Sequence, residues 1–375
     1  MKKGFTLIEL LAVILILGII ALIAIPTVNN IISEARYGAF KSGNENIMKT
    51  IQQDCQTSIM KGETPILSYL FTEGKSSNEI NIKGSLPNDG YIFLNRSCEI
   101  TDYYLTDNKN VYLNGNDVRE DYMLMKAENG QSIFKDLYAS HYENILNVII
   151  INNLVIPENA IGVTDISLSK NGKIKSWLIP NGNNYDLYIG SEGTIYANYN
   201  SRYLFADLTN VMNINVEKIN TNFVTNAEKM FYNCLNIEEI NMSNFITDNM
   251  QNINSIFANC KKIKNIDVSK WNTSNIKFFT YTFLFCEKVK TLDVLNWDLS
   301  SAIEIGGLFQ CCYSLRSVDL TNWNISNVTV INSLFNSCYA LNYIGNISNW
   351  DTSNVISMRY LFQSCGDIKE INLSN

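Results

Sequence analysis

Phenylalanine and cysteine recur together at a fixed period in the second half of the chain. The pair Phe-x-x-Cys occurs six times, and the phenylalanines are separated by 26, 26, 26, 26 and 27 residues. A period of this length predicts a stack of coils in which each coil covers the apolar face of its neighbour. We therefore expect core columns formed by Phe231, Cys234, Phe257, Cys260, Phe283, Cys286, Phe309, Cys312, Phe335, Cys338, Phe362 and Cys365.

Each period contains two apolar patterns. The first, as in Ile263-x-x-Ile266-x-Val268-x-x-Trp271, is typical of a short strand that ends at an aromatic residue. The second has a spacing near 3.6 and predicts a short helix with Ser353 or Asn354 as its cap. The members of that second pattern in the last period are Val355, Met358, Leu361, Phe362 and Cys365. The extra residue of this period is placed at Gly345.

The strand pattern resembles that of leucine-rich repeats, and the full unit resembles BspA-like surface-protein repeats of bacteria. This resemblance implies an α/β leucine-rich-repeat solenoid with parallel strands over 209–375. It also implies an N-terminal cap over 158–208 and a role in adhesion.

Outward positions of the predicted strands form a candidate ligand face. Asp267, Asp293 and Asp319 lie 26 residues apart, so their carboxylates stack on successive strands about 5 Å apart. Such stacked carboxylates repel unless they bind backbone, asparagine or a cation, and a calcium site is one alternative. We predict no metal site here and expect a polar surface that recognises another macromolecule.

The first 25 residues hold the longest apolar segment. The sequence from Phe5 to Ile25 is interrupted only by Thr6 and Glu9, and as a helix it would span about 30 Å, the thickness of a bilayer core. Lys2 and Lys3 precede it, which favours a cytoplasmic N-terminus. A cleaved secretory signal would need a small-residue cleavage site after the segment, and a plain anchor leaves Glu9 unexplained.

The segment Lys3-Gly4-Phe5-Thr6-Leu7-Ile8-Glu9 closely resembles the N-terminus of type IV prepilins. The resemblance implies that a prepilin peptidase cuts between Gly4 and Phe5 and methylates the new amino group. It implies further that Glu9 pairs with that amine of an adjacent subunit during filament assembly. Pro26 removes a backbone donor and should kink the helix.

This resemblance implies an α+β pilin-like module. We divide it into a leader at 1–4, a transmembrane and assembly helix at 5–60, and a small head at 61–157. Cys55 and Cys98 are the cysteines of this part, and the sequence leaves open whether they form a disulfide or remain buried thiols.

Composition argues against several classes of function. The net charge is −7, which makes nucleic acid an unlikely partner, and the chain has one histidine, which argues against a hydrolase or zinc enzyme. Only 17% of the residues are charged, and 53 asparagines supply much of the polarity of the chain instead. No phosphate loop, dinucleotide fingerprint or nucleophile–base pair is present, so we predict no enzymatic activity, no catalytic residue and no cofactor.

The favoured hypothesis is a pilin-like interaction protein of the cell membrane and then of the cell surface or pilus. Its expected partners are prepilin peptidase, other pilin subunits, the membrane, and an extracellular protein or host-surface ligand. The alternatives are a pseudopilin of a secretion or DNA-uptake machine and an unprocessed membrane-anchored surface protein.

Overall fold

The computed structural model describes most of the chain after residue 34. The described residues are 35–36, 38–72, 74–80, 85–87, 89–95, 97–106, 110–113, 116–119, 124, 130–168, 170 and 172–368. They belong to two compact units, Met1–Glu120 and Asp121–Asn375. The predicted processing and assembly residues Gly4, Phe5, Glu9 and Pro26 lie outside the described residues.

The described residues of the first unit form one helix and an antiparallel sheet. Helix α1 covers residues 38–60, and the sheet has the strand order β2-β1-β3-β4-β5-β6. The strands are β1 (Ser68–Thr72), β2 (Lys75–Ser76), β3 (Asp89–Leu94), β4 (Ile100–Thr106), β5 (Asn110–Leu113) and β6 (Asn116–Arg119).

One face of α1 covers this sheet. Ile47, Ile51 and Cys55 are spaced four residues apart and are buried, so they lie on one stripe of the helix. They pack with Tyr69, Phe71, Ile92, Leu94, Cys98 and Leu105. Cys55 and Cys98 form a disulfide whose Cα atoms are 5.7 Å apart, which resolves the alternative left open by the sequence.

The second unit begins with a short helix and a mixed sheet. Helix α2 (Ile133–Leu137) and a 3-10 turn (Tyr142–Asn144) precede a six-stranded sheet of order β14-β12-β7-β10-β9-β8. Its strands are β7 (Ile145–Ile151), β8 (Ile161–Asp165), β9 (Ile174–Asn181), β10 (Asn184–Ser191), β12 (Asn213–Asn215) and β14 (Glu239–Asn241). The remaining strands form two parallel pairs, β11 (Ile195–Tyr196) with β13 (Ile219–Asn220), and β15 (Thr291–Leu292) with β16 (Ser317–Val318).

The antiparallel strands β8, β9 and β10 lead into a stack of coils. Strand β10 pairs in parallel with β7, β7 with β12, and β12 with β14. Further along the chain, single parallel bridges join residues 26 or 27 apart, from Asn200↔Asn226 to Val330↔Ser357. Residues from α2 cover the first coil, because the ring of Phe134 stacks on that of Phe205 at 5.8 Å.

The predicted helix in each repeat is wrong. Residues 199–368 are all described, and none of them is helical. Around Phe231, both Lys229 (φ 57°) and Asn233 (φ 60°) are left-handed, and equivalent pairs flank the other phenylalanines. Two left-handed residues four positions apart prevent a right-handed helix from forming over this part of each coil.

The backbone hydrogen bonds show what replaces the helix. The N–H of Phe231 donates to the carbonyl of Ile256 in the next coil at 2.9 Å, whereas the N–H of Met230 donates to Ala227 at 3.1 Å. Alternate N–H groups thus donate to the neighbouring coil, and the N–H groups between them close four-residue turns within their own coil. The same correction applies to the cap: the Oδ1 of Asp351 accepts from the N–H of Ser353 in a turn, and Asn354 donates to the carbonyl of Ser326.

The predicted fold class is therefore wrong as a whole. The structure is mostly β, and a helix spanning all of 5–60 is not shown, because the described part begins at residue 35. In place of an α/β leucine-rich-repeat solenoid, the second unit is a mixed six-stranded sheet that continues into coils built of turns and short parallel bridges. Within the described residues, no helix has both the length and the apolar character needed to cross a bilayer.

Candidate interaction surface

The core of the coil stack is a continuous column of phenylalanine rings. Neighbouring rings from Phe205 to Phe362 have centroids 5.3–5.9 Å apart, and their planes differ by 4–11°. The rings from Phe231 to Phe335 are completely buried, and Phe362 is half-buried. Such large buried areas make these side chains a source of stability, and the buried rings are not available to a ligand.

The predicted cysteine column lies beside the rings. Each thiol donates to the carbonyl of the phenylalanine one coil back, as from Cys260 to Phe231 at 3.2 Å and from Cys312 to Phe283 at 3.1 Å. Burial raises the pKa of the Cys260 thiol to about 12 and raises that of Cys286 well above its ordinary value. A protonated, fully buried thiol is a poor nucleophile, so Cys260 and Cys286 are not expected to react in the folded state.

Tryptophans form a second buried column. The rings of Trp271, Trp297 and Trp323 stack at 6.2 Å, and the indole N–H of Trp323 donates to the carbonyl of Val294 at 2.9 Å. With 2–5% of their surface exposed, these side chains pack the corner that follows each strand segment.

The outward side chains of the strand segments form a flat polar surface, here named the strand face. Its rows are aligned by the parallel pairs Asn213↔Glu239, Thr291↔Ser317 and Ser317↔Tyr343. The strand face consists of Asn213, Asn215, Glu239, Asn241, Asn265, Asp267, Thr291, Asp293, Ser317, Asp319 and Tyr343, all exposed or half-buried.

The three predicted aspartates lie on the strand face, and two of them are held by their own turns. Asp267 accepts from the N–H of Ser269 at 3.1 Å and from its hydroxyl at 2.7 Å. Asp319 accepts from the backbone and hydroxyl of Thr321, at 3.0 and 2.6 Å. The serine and threonine hydroxyl bonds are the largest of the effects that lower the pKa of both carboxyls. Asp293 is exposed.

These aspartates do not converge on one point. Each belongs to a different coil, and the turn bonds orient Asp267 and Asp319 along their own chain segments. In the part of the chain that the structure describes, no group of three or more histidine, cysteine, aspartate or glutamate side chains is arranged to hold a metal ion.

A shallow cleft lies at the start of the strand face. It has a volume of about 430 Å³ and is lined by amide, carboxylate and ammonium groups, among them Asn213, Glu239, Asn241, Lys264, Asn265 and Asp267. Such a lining offers hydrogen bonds and charge to a polar ligand, together with a smaller apolar area to which Ile240 and Met242 contribute. The strand face is therefore suited to a hydrophilic macromolecule.

Sequence reasoning missed a row of cations next to this cleft. Lys264, Lys290 and Arg316 occupy equivalent positions of successive coils, and each directly precedes a strand-face residue. Their signal was available in the sequence, since they share the 26-residue period of the phenylalanines.

Comparison with known families gives two matches. The family model described as a Mycoplasma protein of unknown function, DUF285, matches residues 199–318 and 278–375. The model of the prokaryotic N-terminal methylation motif matches residues 1–25. These matches do not confirm the BspA-like assignment of the repeats. No curated protein and no solved structure matches the chain.

Proposed function

We propose that this chain is a type IV pilin-like protein that assembles through its N-terminal segment and displays the coil stack outside the cell for adhesion. The observation that carries the proposal is the presence, in one chain, of an N-terminal methylation motif at 1–25 and a long stack of 26-residue coils with a polar strand face. We further propose that the protein is not an enzyme and acts by binding alone.

The proposed assembly through the N-terminal segment depends on a pair of opposite charges. In the proposed filament, prepilin peptidase cuts after Gly4, and the methylated amine of Phe5 carries a positive charge. The carboxylate of Glu9 in an adjacent subunit neutralises it. Opposite charges in an apolar helix bundle favour one axial offset between subunits, so the pair specifies the register.

Two features of the described residues support an extracellular location for the remainder. The Cys55–Cys98 disulfide is of a kind that persists in oxidising surroundings and is rare in a reducing cytosol. The coil stack buries its tryptophans and all of its thiols except Cys365, which is half-buried, and presents amides, hydroxyls and carboxylates on the strand face. A surface of this composition suits recognition of a partner in water.

Deletion of residues 160–375 tests the display function. Cells carrying the shortened chain should still produce the processed protein but lose attachment to their target surface. The strain with the full-length chain supplies the reference. Attachment that is unchanged by the deletion would overturn the adhesion role.

The pseudopilin alternative predicts a different outcome in a strain that lacks the whole gene. A component of a secretion or DNA-uptake machine should lose secretion or transformation when the whole gene is deleted, with attachment intact. Because the two readouts are independent, the experiment separates the two functions.

A further inference from the structure

A row of basic side chains runs along one border of the strand face. Lys264, Lys290 and Arg316 stand on three successive coils, and Lys262 and Lys288 lie two residues earlier in the first two of these coils. All five are exposed. We name these five residues, Lys262, Lys264, Lys288, Lys290 and Arg316, the basic row.

The backbone fixes the alignment of the basic row. The N–H of Arg316 donates to the carbonyl of Lys290 at 2.9 Å, and the next residues, Thr291 and Ser317, pair in parallel. Adjacent parallel strands are about 4.8 Å apart, so the row places five cations within about 10 Å along the stack. This density of positive charge stands out in a chain whose net charge is −7.

Most of this charge is uncompensated. Lys264 pairs with Glu238 at 2.9 Å, and Lys262 contributes a weaker pull that also lowers the pKa of Glu238. Among the described residues, no carboxylate lies within 4.0 Å of the other four cations. The aspartates of the strand face lie three residues further along each coil, about 10 Å away, which is close to the Debye length at 0.1 M salt.

We propose that the basic row binds a linear, sulfated polysaccharide laid along the coil stack. Five cations on three coils match a polymer with more than one anionic group per sugar, which a chain carrying only carboxylates does not supply. Asn265, Thr291 and Ser317 border the row and can hydrogen-bond the sugar hydroxyls. This inference rests on the proposed function, since it names the chemistry of the surface to which the displayed array attaches.

A nucleic acid is a poorer match for the same row. Duplex DNA carries one negative charge per about 1.7 Å of its axis, and a wide duplex would bring many of those charges near Glu238, Asp293 and Asp319. A narrow polysaccharide can lie over Lys288, Lys290 and Arg316, which are two and three coils beyond Glu238, and stay about 10 Å from Asp293 and Asp319.

Binding of defined probes to the detergent-solubilised full chain tests the proposal. The probes are a heparin fragment, a hyaluronan fragment of equal length, which carries carboxylates without sulfates, and a short DNA duplex. We expect the heparin fragment to bind most tightly, with an affinity that falls steeply as salt rises because bound counterions are released. Equal binding of hyaluronan, or tighter binding of the duplex, would overturn the choice of ligand.

Two triple variants locate the site. Lys288→Gln, Lys290→Gln and Arg316→Gln together should weaken heparin binding by about tenfold or more and flatten its salt dependence. The control combines Lys135→Gln, Lys218→Gln and Lys270→Gln, removes the same charge from exposed positions elsewhere, and should retain the affinity within about twofold. Equal losses in both variants, or no loss in the first, would contradict the basic row as the site.

The outcome is separable from that of the proposed function. If deletion of 160–375 abolishes attachment while the first triple variant still attaches and binds heparin, the inference is wrong and the adhesion role stands. If the deletion leaves attachment unchanged, the adhesion role fails whatever the heparin result.

Discussion

The ring of Phe257 lies on the ring of Phe231, with centroids 5.7 Å apart and planes that differ by 6°. Since the two residues are 26 positions apart, one contact spans a whole coil. The same contact repeats along the stack, so each phenylalanine from Phe231 to Phe335 is covered on both faces by its neighbours. Stability is therefore carried by the interfaces between coils rather than by any single coil.

Truncation of Phe257 tests the ring column. Phe257→Ala should lower the free energy of unfolding by about 3–5 kcal/mol, because it opens a cavity between two coils. All five tryptophans lie in the second unit, so tryptophan fluorescence during denaturation reports on this unit. The control is Phe285→Ala, at a half-buried ring, for which we expect a smaller loss. Equal losses in the two variants would contradict the column.

The buried thiols predict a loss of stability at high pH. In the folded state the pKa of Cys260 is raised to about 12 from an ordinary value of 9.0, so the folded chain keeps a proton that the unfolded chain releases. Stability from this group is complete below pH 9 and falls as the pH rises toward 12, by about 1.4 kcal/mol per pH unit.

Denaturation of the parent protein and of Cys260→Ala between pH 8 and about 11 measures this effect. The free energy of unfolding of the variant should fall less steeply with pH, by a slope that corresponds to about one proton. It should still fall, because the remaining thiols and the buried tyrosines also release protons on unfolding. Identical slopes would mean that Cys260 ionises normally in the folded protein.

The backbone at Gly345 has no room for a side chain, so a substitution there should lower the stability of the second unit. It lies at φ 77°, and a Cβ there would be 2.2 Å from the Oδ1 of Asp319 and 3.0 Å from the backbone nitrogen of Leu320. Gly345→Ala should therefore destabilise the second unit by about 1–3 kcal/mol. Gly366→Ala, whose Cβ would meet no atom closer than 3.9 Å, is the matched control and should change little.

The coil period could be read from the sequence, whereas the path of the chain within a coil could not. The spacing of Phe231 and Phe257 is sufficient to predict stacking, and Gly345 lies between residues that pair at a separation of 26 and residues that pair at 27. The helix prediction failed because consecutive four-residue turns place apolar side chains three or four positions apart, as a helix does.

The chain path within a coil depends on which single residues adopt the left-handed conformation, and the sequence does not mark them. The left-handed positions are filled by residues as different as Lys229, Ser255, Tyr281 and Gly307, so no residue type marks them. Asn233 and Asn259 at the second left-handed position were the available hint, since asparagine tolerates this conformation better than most residues. The 26-residue spacing of the aspartates was sufficient to predict that they share one face of the stack. The hydrogen bonds of Asp267 to Ser269 and of Asp319 to Thr321 depend on local backbone geometry and could not be predicted.

The cysteines predict a defined pattern of reactivity. Alkylation of the isolated, denatured chain without reductant should label seven thiols, because Cys55 and Cys98 are joined and the other seven are free. After reduction, all nine cysteines should be labelled. Peptide mapping should show the Cys55–Cys98 link directly, and labelling of nine thiols before reduction would contradict it.

The N-terminus of the protein recovered from cells tests the central claim most directly. Mass spectrometry of the mature chain should show a first residue that is Phe5 with a methylated amino group, as expected for cleavage after Gly4 by prepilin peptidase. A chain that still begins with Met1 would contradict the pilin-like account.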